Sequence, residues 1–160
     1  KQFVDTFIDG ADDMVGVILI IAIARGASVL MQTTHLDNYI IFNAAEALKN
    51  VPEVVFTPLN YLLHVVLSVL VPSSSGLATL SSPIIGPVAA GLGYNTEVTI
   101  MTLVAANGLV NLITPTCGAI MGGLALAKIE YSTWFRWALK VVGTILAVNI
   151  LILILFSIIL

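Results

Sequence analysis

The run VVFTPLNYLLHVVLSVLVPSSSGLATLSSPIIGPVAAGLGYNT, residues 54–96, contains no Asp, Glu, Lys or Arg. As one continuous helix these 43 residues would extend about 64 Å, roughly twice the ~30 Å hydrocarbon core of a bilayer. The chain must turn within the run, and Pro72-Ser73-Ser74-Ser75-Gly76 is the strongest turn signal. The first arm, residues 54–71, is rich in Leu and Val. The second, residues 77–93, reads as weaker helix, interrupted by Ser81, Ser82, Pro83, Gly86, Pro87, Gly91 and Gly93. Two architectures fit. Either both arms cross the membrane and the turn is an exterior loop, or the hairpin is re-entrant and its tip lies inside the protein. The absence of charge in the turn favours a buried tip, although the arms exceed the roughly 10 residues that half a bilayer needs.

The rest of the chain has the same character. Of its 160 residues, 59% are hydrophobic and 9% charged, and the mean hydropathy is +1.07. A soluble domain carries about 25% charge. This composition is that of an all-α, multi-pass membrane protein. A net charge of −3 is no footprint for nucleic acid. The single cysteine, Cys117, excludes a disulfide within the chain.

A second polar interruption follows. Residues 98–127 are again uncharged and contain Asn107, Asn111, Thr114, Pro115, Thr116, Gly118, Gly122 and Gly123. Pro115 lacks an amide hydrogen and clashes with the carbonyl four residues earlier. The reading is a discontinuous span: helix over 98–110, unwound chain over 111–118, helix over 119–128. Half-helix ends in a membrane present free amides and carbonyls, which transporters use to hold anions and cations.

Three further segments complete the pattern. Residues 14–32 are a candidate span with Arg25 inside it, a residue that either pairs structurally or lies near a transport path. Residues 1–13, which mix Phe3, Val4, Phe7 and Ile8 with four Asp, precede it as the end of an earlier helix or a surface segment. Residues 33–50 read as a short amphipathic helix, ended by Lys49, Asn50 and Pro52. Residues 138–160 are the last span. Asn149 is its lone interior polar residue, expected to bind a neighbouring helix, and Tyr131, Trp134 and Trp137 read as an interfacial belt. Counting spans places Lys1, Lys128, Arg136 and Lys140 on one side and Lys49 alone on the other. The positive-inside rule makes the first side cytoplasmic, so the hairpin opens outward.

Both interruptions resemble those of one family. Pro72-Ser73-Ser74-Ser75-Gly76, followed by Ser82-Pro83-Ile84-Ile85-Gly86-Pro87, looks like the hairpin of the YfcC/DcuC group of C4-dicarboxylate or basic amino acid carriers, within the ion transporter superfamily. Residues 107–118, from Asn107-Gly108-Leu109-Val110-Asn111 through Thr114-Pro115-Thr116-Cys117-Gly118, look like its broken helix, and Asp9-Gly10-Ala11 and Ala24-Arg25-Gly26 also match. The p-aminobenzoyl-glutamate transporters show a more distant version of the same pair. At Ser74 and Asn107 this chain departs from the group, which often has Gly at the first position and Gly or Asp at the second.

The resemblance implies that residues 1–160 are the C-terminal transmembrane repeat of a longer carrier in the cytoplasmic (inner) membrane. It implies a partner N-terminal repeat of inverted topology, a homodimer, and alternating access around the hairpin tip and the broken helix. The expected substrate-binding residues are Ser73, Ser74, Ser75, Asn107, Asn111, Thr114 and Thr116. Their hydroxyls, amides and helix ends suit a small polar metabolite, a C4-dicarboxylate or an amino acid, with arginine/ornithine exchange as the alternative. The same oxygens suit Na⁺, and proton coupling is open as well. No cofactor or metal is expected: His64 reads as a packing or lining residue, and His35, Asp37 and Glu46 have no metal-ligand spacing. No phosphate loop or catalytic triad is present, so an enzyme is not expected. A channel would need a continuous polar pore.

Overall fold

In the computed structural model every residue is described except Lys1, Asn50, Pro72 and, within the first helix, the side chains of Gln2, Phe3, Asp5, Asp13, Met14, Val17, Ile20, Ala24, Arg25 and Ser28. The expectations for Lys1, Arg25, Asn50 and Pro72 lie outside the described residues. The described chain is all helical: α1 Gln2–Thr33, α2 Leu36–Leu48, α3 Glu53–Leu70, α4 Ser74–Gly91, α5 Thr96–Asn111, α6 Gly118–Leu126 and α7 Tyr131–Ile159. Two of these, α3 and α7, are long and apolar enough to cross a membrane on length and composition.

Three expectations are corrected. Residues 2–13 do not form a separate segment. No proline interrupts them, and the helix runs unbroken from Gln2 to Thr33. The second hairpin arm is not broken by its prolines: Pro83 and Pro87 both lie within α4. The two are four residues apart, so the amide that Pro87 lacks is the one that would have bonded the carbonyl of Pro83. Packing of α4 on α2 and α5 supports the rest of the helix. The last helix starts at Tyr131, seven residues before the expected apolar span, and takes Trp134 and Trp137 into its first two turns.

The register of α3 against α5 organises the molecule. At one end the Asn95 amide donates to Glu53 Oε1 (2.9 Å), and the Tyr94 hydroxyl donates to the carbonyl of Val51. Seven residues further along each helix, Asn60 Nδ2 donates to Thr102 Oγ1 (2.8 Å). The equal advance means that α3 and α5 run parallel and in register. The hairpin therefore leaves and returns at a common end, here termed the base, and its tip comes level with the end of α5. The return is set by a tight helix stop. Gly93 adopts φ +76°, and the Tyr94 amide reaches back to the Ala89 carbonyl (2.9 Å), a closure that favours glycine.

Two apolar clusters hold these helices. Ile41 and Ala45 of α2 pack with Phe56 and Leu67 of α3 and with Leu77 and Ile85 of α4. Tyr61 packs with Val98, Ala106 and Leu109 of α5 and with Val142 and Leu153 of α7. Asn149 acts as expected, donating to the buried Tyr61 hydroxyl (3.1 Å). Interhelical hydrogen bonds of this kind average about 0.6 kcal/mol in membranes. Asn149→Leu and Tyr61→Phe should each lower stability by about that amount, with no added loss in the double variant. An SDS unfolding titration checks this. Fully additive losses would show that the bond contributes nothing.

Candidate functional site

The hairpin tip begins where α3 ends, at Val71. Ser73 is the N-cap of α4, and its Oγ accepts from the Gly76 amide at 3.2 Å. A Cβ at Gly76 would lie 3.1 Å from that oxygen, so glycine lets the cap close. Ser74 and Ser75 are thus the first turn of α4 rather than loop, and both are exposed within this chain. The Ser73 and Ser75 hydroxyls lie 3.4 Å apart.

The second interruption falls where expected. Helix α5 ends at Asn111, six residues form turns, and α6 starts at Gly118. Asn111 belongs to the last turn of α5 rather than to the unwound segment. The two carbonyls just past the α5 terminus find partners on α7. The Tyr131 hydroxyl donates to the Ile113 carbonyl (2.5 Å), and Trp134 Nε1 donates to the Leu112 carbonyl (3.2 Å). These aromatics, expected as an interfacial belt, act here as caps for the broken helix. The indole rings of Trp134 and Trp137 lie beside each other, centroids 5.4 Å apart.

The tip and the break meet. Ser74 Oγ donates to Asn107 Oδ1 (2.5 Å), and the same oxygen accepts from Asn111 Nδ2 (3.0 Å). Both bonds use the Asn107 oxygen, which leaves Nδ2 free. That nitrogen is buried and has no partner. Thr114 and Thr116 form a second unit, their hydroxyls 2.8 Å apart. The seven expected residues are therefore grouped as Ser73 with Ser75, Ser74 with Asn107 and Asn111, and Thr114 with Thr116. The N-terminus of α6 has no side-chain cap, because Cys117 occupies that position. Two helix N-termini, of α4 and α6, flank the tip and the break. Such ends carry partial positive charge and free amides.

A buried polar layer between this site and the base was missed in sequence. Thr57, Asn60, His64 and Ser68 line one face of α3 and are all buried, opposite Thr99 and Thr102 of α5 and Ser81 of α4. His64 is bonded at both ring nitrogens, to the Asn60 carbonyl (2.8 Å) and to Ser81 Oγ (2.6 Å). This agrees with the reading of His64 as a lining residue. No cluster of three or more metal-ligating side chains occurs among the described residues. The missed signal was the three- and four-residue spacing of polar side chains within an uncharged run.

The profile of the C4-dicarboxylate anaerobic carriers, DcuC, matches residues 1–157. The chain belongs to the DcuC family. Among curated relatives, an uncharacterised protein of Haemophilus influenzae is 27% identical over 154 residues, covering 96% of this chain and 30% of the relative. The putative basic amino acid antiporter YfcC of Escherichia coli is 24% identical over 143 residues, covering 86% of this chain and 28% of that protein. The chain thus spans less than a third of the length of these relatives. No solved structure matches it. The family is one of membrane carriers, in agreement with the helical architecture and apolar composition of this chain.

The caps on the break give a prediction. Tyr131→Phe leaves the Ile113 carbonyl without its partner, so the 112–117 turn should open more often. Maleimide labelling of Cys117, read at the peptide level by mass spectrometry, should accelerate several-fold in the folded variant. An unchanged rate would mean that the turn is held by other contacts.

Proposed function

We propose that this chain forms one half of the substrate site of a secondary active carrier for a small dicarboxylate. The carrier works by alternating access in the cytoplasmic membrane, with the hairpin entering from the outer face. One observation carries the substrate class. The Asn107 amide nitrogen is a buried donor without a partner, while its oxygen is occupied by Ser74 and Asn111. Leaving a buried donor unpaired costs about 1–3 kcal/mol, and a carboxylate oxygen would satisfy it. The flanking N-termini of α4 and α6 favour the same charge. No Asp, Glu, Lys or Arg lies within 72–76 or 107–118, so hydroxyls, amides and helix ends would bind the anion.

The remaining parts of the reading fit this site. Ser74 and Ser75 are exposed within this chain, and an inverted N-terminal repeat of the same protein would cover them to complete the cavity. Arg136 and Lys140 lie toward the α7 end beside the break, whereas Lys49 at the base is paired with Glu46. That asymmetry supports a cytoplasmic break end and an external base. A homodimer and an inner-membrane location are carried over from the family resemblance. Exchange of a basic amino acid is the second reading, supported by the name of the Escherichia coli relative, and its negative partner would have to come from the other repeat.

Uptake of succinate by the full-length protein in liposomes tests the first reading. Asn107→Ala should weaken succinate binding about tenfold or more, the value of a hydrogen bond to a charged group. Asn107→Asp, which places a carboxylate against the anion, should abolish uptake. Unchanged succinate uptake in both folded variants would remove the site from this junction. Arginine exchange enhanced by Asn107→Asp would select the second reading.

A further inference from the structure

Between α3, α4 and α5 lies a cavity of about 290 Å³, separate from the tip. His64 and Ser81 line one part of it, and Gly86 and Thr96, near the base, line another. Ile85, Ile100, Leu103 and Val104 make most of its wall, and its polar groups include His64, Ser81, Ser82, Thr96 and Thr99. His64 is the only His, Asp, Glu, Lys or Arg in residues 54–96, and it is fully buried. The Asn60 carbonyl can only accept, so the Nδ1–H of His64 donates to it. In the neutral ring Nε2 then accepts from the Ser81 hydroxyl. A proton added at Nε2 reverses this second bond: the ring donates and the Ser81 oxygen accepts. The Ser81 hydrogen is released to point into the cavity. Both protonation states keep two hydrogen bonds, which a purely structural histidine does not require.

Two buried acceptor oxygens on the same helix stand unpaired. Thr102 Oγ1 donates its one hydrogen to the Thr99 carbonyl (2.7 Å), so it accepts from Asn60 Nδ2. The Asn60 carbonyl oxygen of the side chain, Oδ1, is therefore the atom left over, buried and without a partner. Ser68 Oγ, one turn beyond His64 on the same helix, is also buried and unpaired. Ionisable groups on the packed elements are Glu53 and Tyr61 on α3, Glu97 on α5, Asp37, Tyr39, Glu46 and Lys49 at α2, and Tyr131, Arg136 and Lys140 on α7, while α4 has none. None of them lines the cavity. No fixed carboxylate at the cavity competes with the substrate for the charge.

We propose that His64 takes up and releases the coupling proton of the transport cycle, with the cavity as its route from the base end. This inference rests on the carrier reading above. Ser81 bonds His64, and Ser74 touches Asn107 two helical turns away along α4, a rise of about 10 Å. A unit charge at that distance shifts the affinity for one carboxylate about tenfold at an effective dielectric constant near 20. Linkage makes the effect mutual: a bound dicarboxylate raises the proton affinity of His64 by the same factor. An anion is then carried together with a proton. A basic substrate would displace the proton and exchange against it.

Full-length protein in liposomes, with succinate and arginine as separate probes, tests this. His64→Gln keeps one donor and one acceptor but does not titrate. Exchange of labelled probe at equal pH on both sides should persist in H64Q. Accumulation driven by a pH gradient should fall at least tenfold, and the pH dependence of uptake should flatten. Accumulation by H64Q equal to wild type, or wild-type accumulation indifferent to a pH gradient, overturns the proposal. A readout independent of transport is the ¹⁵N-histidine NMR signal that H64Q lacks, recorded in nanodiscs. It should pass from the neutral to the protonated ring as the pH falls. A signal that stays neutral throughout overturns the proposal. Failure of the carrier reading shows separately, as absent exchange of both probes in wild type or insensitivity to the Asn107 variants.

Discussion

A helix that stops among apolar neighbours leaves carbonyls that water cannot reach, and each must find another donor. The end of α5 obeys this constraint through α7, whose Tyr131 and Trp134 cap the Ile113 and Leu112 carbonyls. With those groups satisfied, the turn at 112–117 persists without collapsing into continuous helix. The start of α6 is then held away from the end of α5, its first amides free of any side-chain cap. The site exists because the break is capped on its carbonyl side and left open on its amide side.

The position of the tip depends on a different device. Helix α3 is fastened to α5 twice, at Glu53 with Asn95 and at Asn60 with Thr102. Parallel in-register packing brings the two helices to a common level at the far end. Ser74 can then meet Asn107 without any contribution from the loop between the arms. The buried polar layer, Asn60, His64, Ser81 and Thr102, lies between the fastened base and the tip. In a chain this apolar, hydrogen bonds across helices fix the register that greasy surfaces alone would leave free to slide.

Much of this was legible in the residues. The charge-free run with one strong turn gave the hairpin. Pro115 among Asn, Thr and Gly located the break to within a residue or two of its observed limits. Asn149 was rightly read as a helix-to-helix contact. The prolines of α4 misled, because local propensity was weighed without the packing that overrides it. The capping role of Tyr131 and Trp134 was missed for a related reason. Aromatic residues beside basic ones fit an interface, and nothing local reveals that their polar atoms reach carbonyls some 20 positions earlier. The Ser74–Asn107 pairing spans 33 residues, so its two halves were visible as candidates while their contact was not.

The parallel fastening of α3 to α5 also bears on how the chain is made. The two arms of the hairpin pack on each other only sparingly, whereas both pack on α5. When ribosomal synthesis has reached Gly91, the common support of the two arms has yet to be made. Asn60 and His64 then sit on an apolar helix whose partner Thr102 has yet to emerge. The packing that holds the hairpin arms together is thus complete only once α5 is in place.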